Sequence, residues 1–88
     1  MSCVYILYSE SKKGFYIGSS REGMSFTRLQ SHNSGKVKST KPYRPWVLFY
    51  EEELSDYTRA RQRENFLKSG QGRKWIRERW QSGLMRRS

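Results

Sequence analysis

Two tyrosines near the start of the chain are the first residues whose types and spacing suggest chemistry. Tyr5 lies within CVYILY (3–8) and Tyr16 within FYIGS (15–19), and both segments are rich in the β-branched and aromatic residues that favour strands. If Tyr5 pairs directly opposite Tyr16 in a hairpin, both hydroxyls emerge on one face, whereas a one-residue slip would separate them. Gly18 would leave room there for a ligand. The alternative is that both rings simply fill a core.

Arg28 and His32 are the second pair. They are four residues apart on a predicted helix, so their side chains share one face. A guanidinium matches a phosphate with two parallel hydrogen bonds, and an imidazole can exchange a proton near neutral pH. The pair could therefore hold a phosphate and move a proton beside it. Two alternatives stay open: a solvated basic face, and Arg21 as the residue that contacts the phosphate.

Glu64 is an acidic residue within an apolar stripe. On a helix, Tyr57, Ala60, Glu64 and Leu67 follow the 3, 4, 3 spacing of one face. A carboxylate in such a stripe must be met by a cation or by hydrogen bonds. Either an arginine pairs with it, or it helps to hold a divalent metal ion, since Mg²⁺ commonly takes one or two carboxylates and keeps waters and substrate oxygens. The spacing does not separate these interpretations.

The charge of the chain indicates the kind of partner. Its 88 residues include 18 Lys+Arg and 8 Asp+Glu, a formal charge of +10, which favours nucleic acid; the alternative is that the charge only maintains solubility. The third predicted helix also carries Trp75 and Trp80, which either close the core or, less commonly, stack on bases. The cations expected to contact nucleic acid are Lys36, Lys38, Lys41, Arg73 and Lys74.

Several classes of protein are disfavoured. No segment is long enough to span a bilayer, the N-terminus lacks the order of a signal peptide, and no amphipathic stretch is suited to a membrane surface. Cys3 is the only cysteine and His32 the only histidine, which excludes an internal disulfide and a zinc site built from cysteines. We therefore expect a cytoplasmic protein without membrane contact.

The remaining pattern predicts the elements that position these residues. The strands are 3–8, 15–19 and 46–50, the third ended by Glu51, Glu52 and Glu53, whose alternating side chains should be solvated rather than converge on a metal. The helices are 25–33 with Ser25 as cap and Gly35 as stop, 56–68 with Ser55 as cap and Gly70 beyond its end, and 73–81. The order β-β-α-β-α-α predicts an α+β domain, a three-stranded antiparallel sheet flanked by helices. It should occupy residues 1–83, followed by a frayed basic tail, 84–88.

Together these residues resemble the GIY-YIG nuclease superfamily, most closely its small single-domain members similar to the nuclease domain of the excision-repair subunit UvrC. CVY (3–5) and YIG (16–18) occupy the two tripeptide positions, Arg28 precedes His32-Asn33 at the family's spacing, and Glu64 opens ENFLK, like the family's ExxLK segment. The resemblance covers about residues 3–76. Cys3 stands where the family has glycine, and the segment from Gly18 to Arg28 is slightly longer than usual.

The resemblance implies a GIY-YIG fold and a divalent-metal-dependent endonuclease that hydrolyses phosphodiester bonds of nucleic acid, with DNA expected and a role in repair or recombination. Glu64 would hold Mg²⁺ or Mn²⁺, and Arg28 would clamp the phosphate. Tyr5 would activate water, with Tyr16 and His32 placing water or shuttling protons. The alternatives are a non-catalytic nucleic-acid-binding module of the same fold and a structural protein of a ribonucleoprotein. Specificity is expected from the domain itself, a protein partner or a homodimer.

Overall fold

The structure is a computed structural model that describes residues 2–21 and 25–87. The elements are β1 (Ser2–Ser9), β2 (Gly14–Ser20), α1 (Ser25–Asn33), a short 3₁₀ helix (Lys41–Tyr43), β3 (Trp46–Leu54), α2 (Tyr57–Lys68) and α3 (Gly70–Arg87). This is the predicted α+β order, β-β-α-β-α-α, with a three-stranded antiparallel sheet.

The sheet has the strand order β2-β1-β3, so β1 is its central strand. Almost every residue of β1 is buried, because helices cover both faces of the sheet. Cys3, Tyr5 and Leu7 pack on one face with Leu29 of α1. Val4 and Ile6 pack on the other face with residues of α2 and α3, Leu67 and Ile76. We call these the α1 face and the α2–α3 face.

The register of the hairpin differs from the expected one. Tyr5 pairs with Gly18, and Tyr16 pairs with Leu7, so the predicted direct pairing of Tyr5 with Tyr16 is wrong. The physical reason is the loop at residues 10–13, where the Lys13 amide donates to the Ser9 carbonyl (2.8 Å) and Lys13 takes a left-handed backbone, φ 54°. The shift is two residues, and because side chains alternate with period 2, both tyrosines still lie on the α1 face.

The ends of the helices differ in detail from the predicted ones. Asp56, not Ser55, caps α2, since its side chain accepts a hydrogen bond from the Arg59 amide. α3 begins at Gly70 rather than Arg73, because the Ser69 hydroxyl accepts from the Gly72 amide and caps the new helix. α3 continues to Arg87, past the predicted end at Gln81; the domain boundary at residue 83 and the fraying of 84–88 stay predictions.

Helix α1 has the predicted span, Ser25–Asn33, and Gly35 follows it with φ 86°, as expected of a glycine that ends a helix. The predicted capping role of the Ser25 side chain lies outside what the structure describes. Within residues 2–21 and 25–87, no helix is long and apolar enough to cross a membrane.

Strand β3 is longer than predicted and continues to Leu54. Glu51, Glu52 and Glu53 are therefore part of the strand, paired with Tyr5, Val4 and Cys3, because the central strand offers them backbone partners to its end. Their side chains alternate as expected. Glu52 lies on the α2–α3 face with an ion pair to Arg63 (3.0 Å), and the three carboxylates do not converge.

Candidate active site

Tyr5 is the centre of the cluster formed by the predicted site residues. Its side chain is 3% exposed on the α1 face. The Tyr5 hydroxyl lies 3.3 Å from His32 Nε2, and the Tyr5 ring lies 6.5 Å from the ring of Tyr16. Tyr16 and His32 are also in contact, with ring centroids 4.7 Å apart. Two strands and a helix thus bring two phenols and an imidazole together.

Gly18 determines where the Tyr5 hydroxyl can lie. The two residues are directly opposite on neighbouring strands, and a Cβ added to Gly18 would lie 2.6 Å from the Tyr5 hydroxyl oxygen. Real side chains do not tolerate this distance. The expected space for a ligand above Gly18 is therefore filled by the Tyr5 phenol, and the glycine is needed for the packing of that phenol.

The tautomer of His32 follows from a chain of hydrogen bonds. The Thr40 hydroxyl contacts both the Val37 carbonyl (3.2 Å) and His32 Nδ1 (2.8 Å), and it donates its one proton to the carbonyl when Nδ1 carries a proton of its own. His32 Nε2 then carries a lone pair and accepts the Tyr5 O–H. Thr40 was not found by sequence reasoning, because it lies in the irregular segment between α1 and β3, where no periodicity assigns it a neighbour.

Burial and charge set the protonation states of this pair. Burial lowers the pKa of His32, and the positive charge of Arg28 lowers that pKa further, so the imidazole is neutral near pH 7. Burial raises the pKa of Tyr5, and Tyr16 adds to the rise, whereas Arg28 opposes it. The phenol therefore stays protonated unless a further positive charge approaches it.

The lowered pKa of His32 makes a prediction about stability. The unfolded chain binds a proton at an ordinary histidine pKa of about 6.5, and the folded chain binds it only at lower pH. At a pH between these two pKa values the unfolded chain binds the proton more tightly than the folded chain, so lowering the pH destabilises the fold. We expect the melting temperature to fall as pH drops from about 6.5 through the folded-state pKa, and this part of the slope to be missing in His32→Gln. Thermal unfolding measured over a pH series checks this. An unchanged slope in the variant would contradict it.

Arg28 lies on the same face as the tyrosines. Its Nε donates to Ser20 Oγ at 3.3 Å. Its charge adds to the lowering of the pKa of His32 and opposes the net rise in the pKa of Tyr5 and of Cys3. The alternative residue, Arg21, is elsewhere: its guanidinium lies over the ring of Tyr57, 4.3 Å from the centroid. The geometry thus favours Arg28 as the guanidinium beside the phenols.

Glu64 lies on α2, and its side chain contacts Ser19 of the edge strand β2 on the α2–α3 face. Its side chain is 12% exposed, and Lys68 Nζ donates to Oε2 at 2.8 Å. Oε1 accepts from Ser19 Oγ at 2.6 Å and lies 3.5 Å from Arg61 Nε. Ser19 is on the α2–α3 face, yet the negative charge of Glu64 still contributes to raising the pKa of Tyr5. The arginine partner that the sequence offered as one of two interpretations is present in Arg61, and Lys68 makes a shorter contact with the same carboxylate.

The Glu64 carboxyl is ionised and balanced by its neighbours. Burial pushes its pKa up, but hydrogen bonds from Lys68 and Ser19 and the charges of Lys68 and Arg61 push it further down, and the net result is a lowered pKa. The described residues contain no group of three or more His, Cys, Asp or Glu that could hold a metal ion. One ionised carboxylate still fits Mg²⁺ when waters and substrate oxygens complete the shell.

The cations expected to bind nucleic acid lie in two groups. One group follows α1 in the segment that leads to β3, and the other is in the first turns of α3. Because α1 and α3 pack on opposite faces of the sheet, the cations do not form one patch. All of them are exposed: Lys36, Lys38, Lys41, Arg73 and Lys74.

Comparison with known proteins agrees with this geometry. The family model of the GIY-YIG catalytic domain matches residues 1–81. Neither a curated protein nor a solved structure matches the chain. The matched region contains β1, β2, α1, β3 and α2 in full, the elements that carry Tyr5, Tyr16, Arg28, His32 and Glu64. The chain therefore belongs to the GIY-YIG family.

Proposed function

We propose that this protein is a divalent-metal-dependent endonuclease that hydrolyses phosphodiester bonds of DNA. Membership of the family gives the nuclease class. The observation that carries the proposal is the environment of Tyr5, whose hydroxyl hydrogen-bonds to His32 and whose pKa responds to both Arg28 and Glu64. Nucleic-acid binding alone does not require a buried phenol coupled to an imidazole, a guanidinium and a carboxylate.

In this proposal Tyr5 and His32 move the proton of the attacking water. His32 is neutral and its Nε2 accepts the Tyr5 O–H, so the imidazole can take the phenolic proton as the phenol oxygen takes the proton from water. Tyr16, in contact with both rings, restricts where that water can lie. The alternative, a Tyr5 that ionises alone, is opposed by its raised pKa.

Arg28 and Glu64 provide the charges. The Arg28 guanidinium binds the phosphate oxygens and stabilises the negative charge that develops on them. Glu64 would hold Mg²⁺ or Mn²⁺, which when bound polarises a phosphate oxygen and stabilises the leaving oxygen. Without a bound metal ion, Lys68 and Arg61 keep the Glu64 carboxylate ionised. The exposed cations after α1 and at the start of α3, including Lys36 and Arg73, would contact the phosphate backbone.

A cleavage panel tests the proposal. The purified protein is incubated with end-labelled DNA flaps, junctions, duplexes and single strands, and with RNA, in magnesium and in EDTA. We expect cleavage of DNA that requires the metal ion. Salt-sensitive binding without cleavage of any substrate would instead support a non-catalytic module or a structural protein of a ribonucleoprotein, because counterion release makes salt sensitivity common to all three.

The packing of Gly18 against Tyr5 makes a further prediction. Gly18→Ala places a methyl group where the phenol lies, so the Tyr5 hydroxyl must move. A displacement of about 1 Å can lower a rate by about 100-fold, and we expect a loss of this order in single-turnover cleavage. Gly14→Ala is the control, because its added Cβ meets only the flexible Lys12 side chain, at 3.5 Å. Equal rates for both variants would contradict the role of Tyr5.

The proposed location is the cytoplasm. The single cysteine, Cys3, is a buried free thiol, and burial is the first cause of its raised pKa, which leaves it protonated and unreactive. A chain without disulfides suits a reducing compartment. Fluorescence microscopy of the tagged protein would test this.

A further inference from the structure

A groove beside the edge strand β2 shares Tyr16, Lys68 and Arg73 with the mechanism above, but that mechanism gives the groove itself no ligand. It lies between β2 and α3 and has a volume of about 500 Å³, within the range of about 300–1,000 Å³ found for ligand pockets. Three cations, Lys68, Arg73 and Arg77, line it together with the rings of Phe15 and Trp80. Its size suits one or two nucleotide units.

The side chains of the groove combine two kinds of contact. The three cations are exposed and so are available to phosphates. Trp80 is half-buried. Its ring packs against the ring of Tyr8, with centroids 4.6 Å apart, and against the ring of Phe15, with centroids 5.8 Å apart. An aromatic ring fixed in this way beside cations is the arrangement with which proteins bind single strands, where bases stack and the backbone is neutralised.

Two residues join the groove to the cluster around Tyr5. Tyr16 lines the groove, and its ring lies 4.7 Å from that of His32. Lys68 lines the groove, and its Nζ lies 2.8 Å from Glu64 Oε2. A strand bound in the groove would therefore lie next to side chains that contact His32 and Glu64.

We propose that the groove binds an unpaired segment of the substrate strand next to the bond that is cut. This inference rests on the proposed nuclease function and adds the class of substrate: nucleic acid with a single-stranded segment. A duplex presents mainly phosphates and sugars to a surface and keeps its base faces stacked, so it leaves the apolar floor of Phe15, Ile76 and Trp80 without contacts. A surface that acted through charge alone would bind a duplex at least as well.

Binding in EDTA tests the inference without cleavage. Fluorescence anisotropy is measured with a labelled single strand, an abasic strand of the same length and a duplex of the same length, at one salt concentration. We expect the single strand to bind more tightly than the duplex. Each stacked base contributes about 5- to 150-fold to affinity, so the abasic strand should bind at least about 5-fold more weakly than the intact strand.

Variants locate this binding in the groove. Arg77→Ala should weaken single-strand binding and reduce the slope of log K against log salt by about 0.7, the value for one phosphate of a single strand. The control is Arg59→Ala, which removes an exposed arginine of α2 that forms a long ion pair with Asp56 (4.0 Å) and is not among the described residues that line the groove. Trp80→Leu should abolish the difference between intact and abasic strands, and Trp80→Phe should retain it. Thermal unfolding confirms that each variant is folded.

Duplex binding as tight as single-strand binding, or equal effects of Arg77→Ala and Arg59→Ala, would overturn the inference. The Arg77 comparison decides the matter even if the Trp80 variants fail to fold, because Arg77 is exposed on α3. Failure here is distinct from failure of the proposed function. Magnesium-dependent cleavage of duplexes by a protein with no preference for single strands would contradict only the inference about the groove. Single-strand preference in EDTA without any cleavage would support the inference about the groove and contradict the proposed nuclease function.

Discussion

Glu64→Gln should reduce magnesium-dependent cleavage by about 100- to 1000-fold, the usual effect of losing one charge-stabilising group, in a protein that remains folded. Glutamine has the shape of glutamate and can still accept the hydrogen bond from Ser19, but it has no negative charge for a metal ion. Glu64→Ala should lose cleavage to the same extent. Single-turnover rates and thermal unfolding measure the two effects separately.

Glu78→Gln is the matched control, since Glu78 is exposed on α3 and outside the cluster. Calorimetric titration with Mn²⁺ gives a readout that does not depend on cleavage: the wild-type protein should bind the ion and Glu64→Gln should not. A Glu64→Gln variant that cleaves at the wild-type rate would show that Glu64 serves only as the partner of Lys68 and Arg61.

Arg28→Ala should lower cleavage by a similar factor, about 100- to 1000-fold, because the guanidinium is the cation on the face of the sheet that carries both phenols. The fold should be unaffected, since the Arg28 side chain is exposed. Arg28→Lys should be intermediate: it keeps the charge but loses the planar fork that binds two phosphate oxygens. Cleavage rates of the three proteins at saturating DNA check this order.

The control for Arg28 is Arg21→Ala, because that guanidinium lies on Tyr57 instead. A large loss of cleavage in Arg21→Ala with normal cleavage in Arg28→Ala would reverse the assignment. NMR titration supplies a second test, since His32 is the only histidine. Arg28 contributes to lowering the pKa of His32, so that pKa should rise in Arg28→Ala and stay unchanged in Arg21→Ala.

The sequence carried enough information for the fold because each element has a strong local signal. CVYILY and WVLFY are too rich in β-branched and aromatic residues for other interpretations, and Gly35 marks the end of α1. The register of the hairpin could not be predicted from the sequence, because hydrogen bonds at Ser9 and the left-handed backbone of Lys13 set the loop length. Since the error was an even number of residues, it did not change which face carries the tyrosines.

The site was predictable where spacing alone fixes a face and not where a partner comes from another segment. Glu64 in an apolar stripe required a partner, and the i, i+4 spacing to Lys68 identifies one. Ser19 and Thr40 gave no such signal. Ser19, on β2, faces away from the phenols and donates to Glu64. Thr40 lies eight residues beyond His32 in the chain and contacts its ring nitrogen Nδ1. Contacts between distant segments of this kind depend on the packed structure.

The four elements that supply the cluster, β1, β2, α1 and α2, extend from Ser2 to Lys68 along the chain. The two phenols lie early in the chain, in a local hairpin, whereas the Glu64 carboxylate lies on α2, after β3. Truncated translation products and partly folded intermediates therefore lack the complete set of groups. For the proposed nuclease, a copy without α2 would lack the carboxylate that is expected to hold the metal ion.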